Sequence, residues 1–198
     1  MARGLTKQTV VDAALEVLDD GGIDAVTVRN VAARLDVKAP ALYWHVKSKQ
    51  ALLDEMGTEI QRRVMARISP GPWPRSLASY ARALRAEYLA HRDGARTFSG
   101  TRLTDVSVLR AQEPMLQTAV AEGLSLEEVV LATELVTAFV TGFVIEEQER
   151  AQSAGDRRYS LADRTAALGD DVPLVIAAGE VLYADPDARF EAHLARLI

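Results

Sequence analysis

Apolar residues recur along this chain at the three-to-four spacing of helices, and the strict alternation of strands is nearly absent. Val10, Val11, Ala14, Leu15 and Leu18 form a first stripe, closed by Gly21-Gly22, where glycine readily turns a helix off. Thr27 reads as the cap of a short helix through Leu35, with Val28, Val31, Ala32 and Leu35 inward. After a turn at Asp36-Val37, a third short helix is expected from Ala39 to His45, with Pro40 in its first turn, where its missing N–H is harmless. Ser48 caps a fourth helix carrying Leu52, Leu53, Met56 and Ile60 to about Ile68.

The Pro- and Gly-rich stretch from Ser69 to Pro74 is the clearest break. It predicts a division into a head (1–48), a connecting helix (49–68) and a body (69–198). In the body, helices are expected over 75–91, 93–98, 108–122, 125–152, 173–183 and from Pro186 to the end. Ser125-Leu-Glu-Glu128 is a capping box, and the helix it opens is apolar on most sides through Leu131, Leu135, Val136, Phe139, Val140, Phe143 and Val144, which predicts burial all round. The polar stretch 153–171 is expected to be a mobile loop. Phe190, Leu194, Leu197 and Ile198 share a face of the last helix, which is expected to be free to form, with the long helix, a four-helix interface between two copies. The fold class expected is all-α.

With 198 residues, 48% hydrophobic and 26% charged, the chain is long and apolar enough for a packed core. It has no cysteine, which removes disulfides, thiol nucleophiles and cysteine zinc sites and fits a reducing cytoplasm. No signal-peptide core is visible, and the uncharged run from Leu135 to Ile145 is shorter than the about 20 residues a bilayer needs, so no membrane association is expected. The net charge of −5 argues against an anionic partner until its distribution is read: residues 24–50 carry +3, and those from Ala51 onward −6.

Three short helices with a tight turn between the second and third form a helix-turn-helix pattern. Ala39, Pro40 and Ala41 make a narrow tip suited to the major groove, and Lys38, Lys47 and Lys49 flank it where phosphates would lie. Arg29 can reach the backbone or a guanine edge, and Tyr43, Trp44 and His45 can press on sugars and phosphates. On periodicity alone an ordinary helical bundle competes with this reading. The adjacency of Tyr43 and Trp44 weighs against it, because neighbours on a helix point about 100° apart and cannot share one core stripe.

The string Thr27-Val-Arg-Asn-Val-Ala-Ala-Arg-Leu35, followed by Ala41-Leu-Tyr-Trp-His-Val-Lys-Ser-Lys-Gln-Ala-Leu-Leu-Asp54, resembles the helix-turn-helix of the TetR family, in its tetracycline-repressor branch. His91-Arg-Asp-Gly-Ala95, Gly100-Thr-Arg102 and Glu146-Glu-Gln-Glu149 resemble the effector domain of that branch. The resemblance implies a homodimeric repressor of palindromic operator DNA, released by a small molecule; an activator or signalling-molecule receptor of the same fold stays open. It implies DNA-contacting positions at Arg29, Pro40, Ala41, Tyr43, Trp44, His45 and Lys49. Ala39 stands where that branch has a glutamine that pairs with adenine, so a different operator is expected.

The effector positions implied are Met65, Tyr80, Leu84, Phe98, Thr101, Arg102, Phe143 and Glu146. Phe98 and Met65 replace histidines and Tyr80 replaces an asparagine that contact a drug–magnesium chelate in that branch, so a largely apolar effector bound without metal is expected. The scattered His45, His91 and His193, with no zinc, nucleophile-elbow or phosphate-loop spacing, give no catalytic residue and no cofactor.

Overall fold

The structure is a computed structural model that describes residues 4–153, 160–169 and 171–198. Twelve helices and no strand are found among them. The first three, α1 (Lys7–Gly21), α2 (Val28–Arg34) and α3 (Ala39–Leu42), pack into a small head. Local chemistry fixes each boundary. Thr6 and Thr9 form a reciprocal capping box at the start of α1, and Gly22 ends it at φ 75°, its N–H donating to the Leu18 carbonyl at 2.7 Å. Thr27 Oγ1 accepts from Asn30 N at 3.1 Å to open α2, which closes through Asp36 at φ 52°. Helix α3 is shorter than expected, although two amides beyond it, of His45 and Val46, still donate to Leu42 O.

Helix α4 (Lys49–Arg67), capped by Ser48, leaves the head and runs beneath α5 (Trp73–Leu89) and α6 (Gly94–Phe98). The single helix expected over 108–122 is two, α7 (Val106–Arg110) and α8 (Glu113–Ala121), because Pro114 has no N–H to carry the ladder across Ala111 and Gln112. Helix α9 (Leu126–Gln152) opens with the expected Ser125–Glu128 box. Part of the expected loop over 153–171 is a helix, α10 (Leu161–Leu168), capped by Ser160, and the rest of that stretch includes residues outside those described. Helices α11 (Pro173–Leu182) and α12 (Pro186–Leu197) complete the chain.

Buried side chains form one core running from Val10 in α1 to Leu194 in α12. Within one chain α9 is buried on one face only. Val129, Val136, Val140 and Val144 are buried, but Leu131 and Leu135 stay 57% and 55% exposed, and Ala138 and Gly142 continue their stripe. The helix is long and apolar enough to cross a membrane by length and composition, and its buried face packs on α5 and α6. The face expected to be free on α12 is largely taken: Phe190 and Leu194 are buried within the chain, Leu197 is half-buried and Ile198 exposed.

The Phe190 ring stacks on Phe139 and meets Phe143 edge-on, both at 5.5 Å between centroids. Arg85 covers it at 4.8 Å and clasps three helices, donating twice to Glu147 of α9 and once to Asp187 of α12. Burial opposes the Arg85 charge, but these carboxylates raise its pKa above the ordinary arginine value.

Phe190→Ala should lower unfolding stability by about 3–5 kcal/mol, since the site is closed on all sides and collapses poorly. Urea denaturation measures it. A loss under about 1 kcal/mol would mean that α12 is not held by this ring.

Candidate nucleic-acid interface and ligand cavities

The head presents its polar chemistry at one tip. Leu42 and Val46 are buried and anchor α3, and this turns Tyr43 and Trp44 outward at 52% and 90% exposure. Large aromatics left bare beside a fully packed core mark a contact surface rather than a packing fault. Lys38, Pro40, Lys47 and Arg29 are exposed around them, while Ala39, Ala41 and His45 are half-buried. Thr27 spends its hydroxyl on the α2 cap. Lys49 reaches back to the Ile23 carbonyl at 3.3 Å. Arg34 faces α1, where Glu16 and Asp20 hold it and raise its pKa, Asp20 most. Arg29, Lys38 and Lys47 form no ion pair among the described residues, so the tip carries uncompensated positive charge.

The effector positions expected from the sequence fall in several places. Tyr80, Phe98 and Thr101 line one cavity of about 280 Å³ with Gln61, Tyr88, Ser99, Leu103, Thr137 and Thr141. Met65 borders a separate cavity of about 180 Å³ with Met115 and Thr118. Phe143 and Glu146 border a third, of about 360 Å³, beside α11 and α12. Leu84 is core. The Arg102 side chain is 85% exposed and pairs with Asp54 at 3.3 Å, rather than reaching towards Glu146.

The first cavity has no charged side chain in its lining. Its polarity comes from hydroxyls. Thr137 Oγ1 donates to the Thr133 carbonyl at 2.7 Å, so it accepts from Tyr80 OH at 3.0 Å. Burial, helped by Tyr80 alongside and opposed by the Thr141 hydroxyl, pushes the Tyr88 phenol up to about 12. It is therefore a fixed proton donor at neutral pH. Sequence reasoning missed Tyr88, Thr137 and Thr141; the four-residue spacing of Thr133, Thr137 and Thr141 on one side of α9 was the available signal.

The loop roofing this cavity is stitched to α4. Arg102 N donates to Asp54 Oδ1 at 3.3 Å, and Thr104 N to Thr58 Oγ1 at 2.9 Å. Gly57 makes the seam possible, because a Cβ there would lie 2.1 Å from Thr101 Oγ1. A second seam joins head and body: His91 Nδ1 donates to Asp19 at 2.9 Å, and Asp93 accepts from Ile23 N at 3.2 Å and from Gln152 at 3.0 Å.

Residues 10–56 match the sequence profile of the bacterial regulatory proteins of the tetR family, and residues 69–198 match that of the tetracyclin repressor-like C-terminal domain. The class D tetracycline repressor protein of Escherichia coli is 38% identical over 176 residues, covering 87% of this chain and 77% of its own length. Among solved structures, a possible TetR family transcriptional regulator from Streptomyces coelicolor A3(2) superposes with a TM-score of 0.83 at 34% identity, over 97% of this chain and 96% of its own. A TetR variant from Acinetobacter baumannii AYE in complex with minocycline gives 0.78 at 33% identity, over 98% and 91%. ActR of Streptomyces coelicolor in complex with actinorhodin gives 0.82 at 28% identity, over 98% and 94%.

Gly57→Val should push the loop off α4. Hydrogen exchange at the Arg102 and Thr104 amides should rise by about tenfold or more, as expected when two part-buried bonds open; unchanged exchange would show that the seam tolerates a side chain. Tyr88 gives a pH prediction. Its folded value of about 12 exceeds the ordinary 10, so its contribution is complete below pH 10 and is lost as pH rises through 12. Between pH 9 and 11.5 the wild type should lose more stability to urea than Tyr88→Phe; equal losses would place the phenol in water.

Proposed function

Because the chain belongs to the tetR family of bacterial regulatory proteins, we propose that it is a homodimeric cytoplasmic repressor that grips a near-palindromic operator with its head and lets go when a small molecule enters the hydroxyl-lined cavity. The observation that carries this is the exposed Tyr43–Trp44 pair on a tip whose Arg29, Lys38 and Lys47 are unpaired. Tyr43, Trp44, His45, Lys47 and Lys49 hold the sugar–phosphate backbone, while Ala39, Pro40 and Ala41 face base edges with Arg29 beside them. Thr27 and Lys38 shape and flank the tip.

The dimer rests on α9. Leu131, Leu135, Ala138 and Gly142 form an exposed stripe of two leucines and two small residues, which a second copy can approach closely. A two-fold dimer that reads both half-sites holds its two tips about 34–36 Å apart, one turn of DNA.

Relatives solved with minocycline and with actinorhodin support a small-molecule effector. The residues of this chain do not fit a metal chelate: Phe98 and Tyr80 offer the cavity a ring and a hydroxyl, and none of its lining residues is an acid or a histidine. The effector is therefore an uncharged ring-bearing molecule with a carbonyl for the Tyr88 phenol or a hydroxyl that donates to Tyr80 or Thr101, whose own protons are spent on Thr137 and on the Phe98 carbonyl. Such a ligand displaces the 99–103 loop, the loop shifts Asp54, Gly57 and Thr58, and α4 tilts the head out of register. It weakens DNA binding only by as much as it prefers the tilted form.

DNA from upstream of the chain's own gene tests the operator reading by gel shift. Lys47→Ala should weaken binding to all sequences and lower the salt slope by about one unit. Ala39→Gln should move base preference at one half-site position by about 1–3 kcal/mol in a binding selection. An unchanged preference would take position 39 off the base edges. Effector hits from thermal-shift screening should survive a magnesium chelator and lose affinity in Tyr80→Phe; loss of binding with chelator would overturn the metal-free reading.

A further inference from the structure

The cavity of about 360 Å³ between the C-terminal half of α9 and the α11–α12 junction lies apart from the hydroxyl-lined one and differs from it in chemistry. Two rings, Phe143 and Tyr183, and the apolar Ala151, Ala184 and Pro186 form its walls. Each ring lies under a guanidinium: Arg189 is 5.4 Å from the Phe143 centroid and Arg150 is 5.0 Å from that of Tyr183.

The charges here divide into satisfied and idle groups. Arg85 takes Glu147 with two bonds and Asp187 with a third, so these carboxylates are spoken for. Arg150 gives one N–H to the Leu182 carbonyl at 3.1 Å and lies 4.0 Å from Glu146, while its Nε is buried without any hydrogen-bond partner. Arg189 is half-buried and makes no ion pair or side-chain hydrogen bond among the described residues. A buried guanidinium N–H without an acceptor is costly, whereas Arg189, lying on the Phe143 ring and partly in water, keeps its N–H groups available. Both guanidiniums border the same space, and their planar forks match a carboxylate.

We propose that this cavity is a second ligand site, for a small organic acid: a carboxylate taken by the Arg189 guanidinium beside that of Arg150, on a planar or short apolar body lying against Phe143 and Tyr183. Its volume is within the range of small-molecule pockets. Glu146, 71% exposed and without a hydrogen bond among the described residues, stands at the rim as a like charge that limits affinity. It lies one turn beyond Gly142 on α9, so a second copy seated on the α9 stripe would wall the mouth. The site does not depend on the hydroxyl-lined cavity being the effector pocket.

Benzoate is the probe, with benzyl alcohol as its uncharged counterpart, titrated onto the full chain by ligand-observed NMR or calorimetry. Benzoate should bind saturably at millimolar concentration, as suits so small a ligand, and benzyl alcohol should not. Arg189→Ala should weaken benzoate by about tenfold or more, Arg189→Lys by less because the charge stays and the fork is lost, and Glu146→Gln should tighten it. Tyr80→Phe should leave it unchanged, which separates this site from the effector reading. Thermal melting confirms that the variants fold, and the lysine variant keeps the test alive should the alanine one not. Non-saturable binding, equal binding of benzyl alcohol, or equal affinity in wild type and both Arg189 variants would overturn the proposal. So would an Arg189→Ala variant whose dimer loosens while its benzoate affinity is kept, since the arginine would then serve the neighbouring copy.

Discussion

A helix of 19 residues is a rod of about 28 Å that moves as a unit, and α4 is gripped by both halves of this molecule. At its head end Lys49 holds the Ile23 carbonyl and Glu55 takes Lys7 at 2.9 Å. One turn further on, Asp54, Gly57 and Thr58 form the strip on which the 100–105 loop is stitched. Ile60 then lines the hydroxyl-bearing cavity. The rod is thus held at its head end and again beside the cavity, which is the path by which the proposed release would reach the head. The constraint that makes this coupling tight is the missing Cβ of Gly57.

The contacts at Asp54 also explain why Arg102 does not reach α9. Its guanidinium stays in water, and what it supplies to the loop is one charge-assisted contact beside a backbone bond to the same carboxylate. Asp54 is 5% exposed and takes a further hydrogen bond from Gln50, so the anion is held chiefly by its own helix and the loop amide. An exposed arginine contributes little by itself. The loop is therefore held by several weak contacts and opens more readily than the helices it lies on.

Much of this was legible in the sequence, for physical reasons that can be named. Helix starts were legible where a side chain caps them: Thr27, Ser48 and Ser125 each accept the expected amide. The bare Tyr43–Trp44 pair was legible because adjacent helical residues cannot share a stripe. Less was legible where the answer lay in tertiary packing. The α7–α8 break needed the weight of Pro114 to be set against apolar periodicity, and α10 has a Ser160 cap hidden in a polar tract. The ligand positions dispersed into three cavities because resemblance assigns residues to a site one at a time, whereas the volumes depend on which side chains fill the gaps between them. The hydroxyls of Thr137 and Thr141 sat within an apolar run and were overlooked.

The exposure of Trp44 has an optical consequence. The chain holds two tryptophans, and they sit in opposite media: Trp44 is 90% exposed on the tip of the head, and Trp73 is 5% exposed at the start of α5. An indole in water emits to the red of a buried one and is reached by soluble quenchers, so the two signals separate without any label. Iodide, charged and excluded from the interior, reads the tip, and the residual blue emission reads the body. Unmodified protein thus reports occupancy of its head and integrity of its core in one spectrum, with each signal traceable to a single residue.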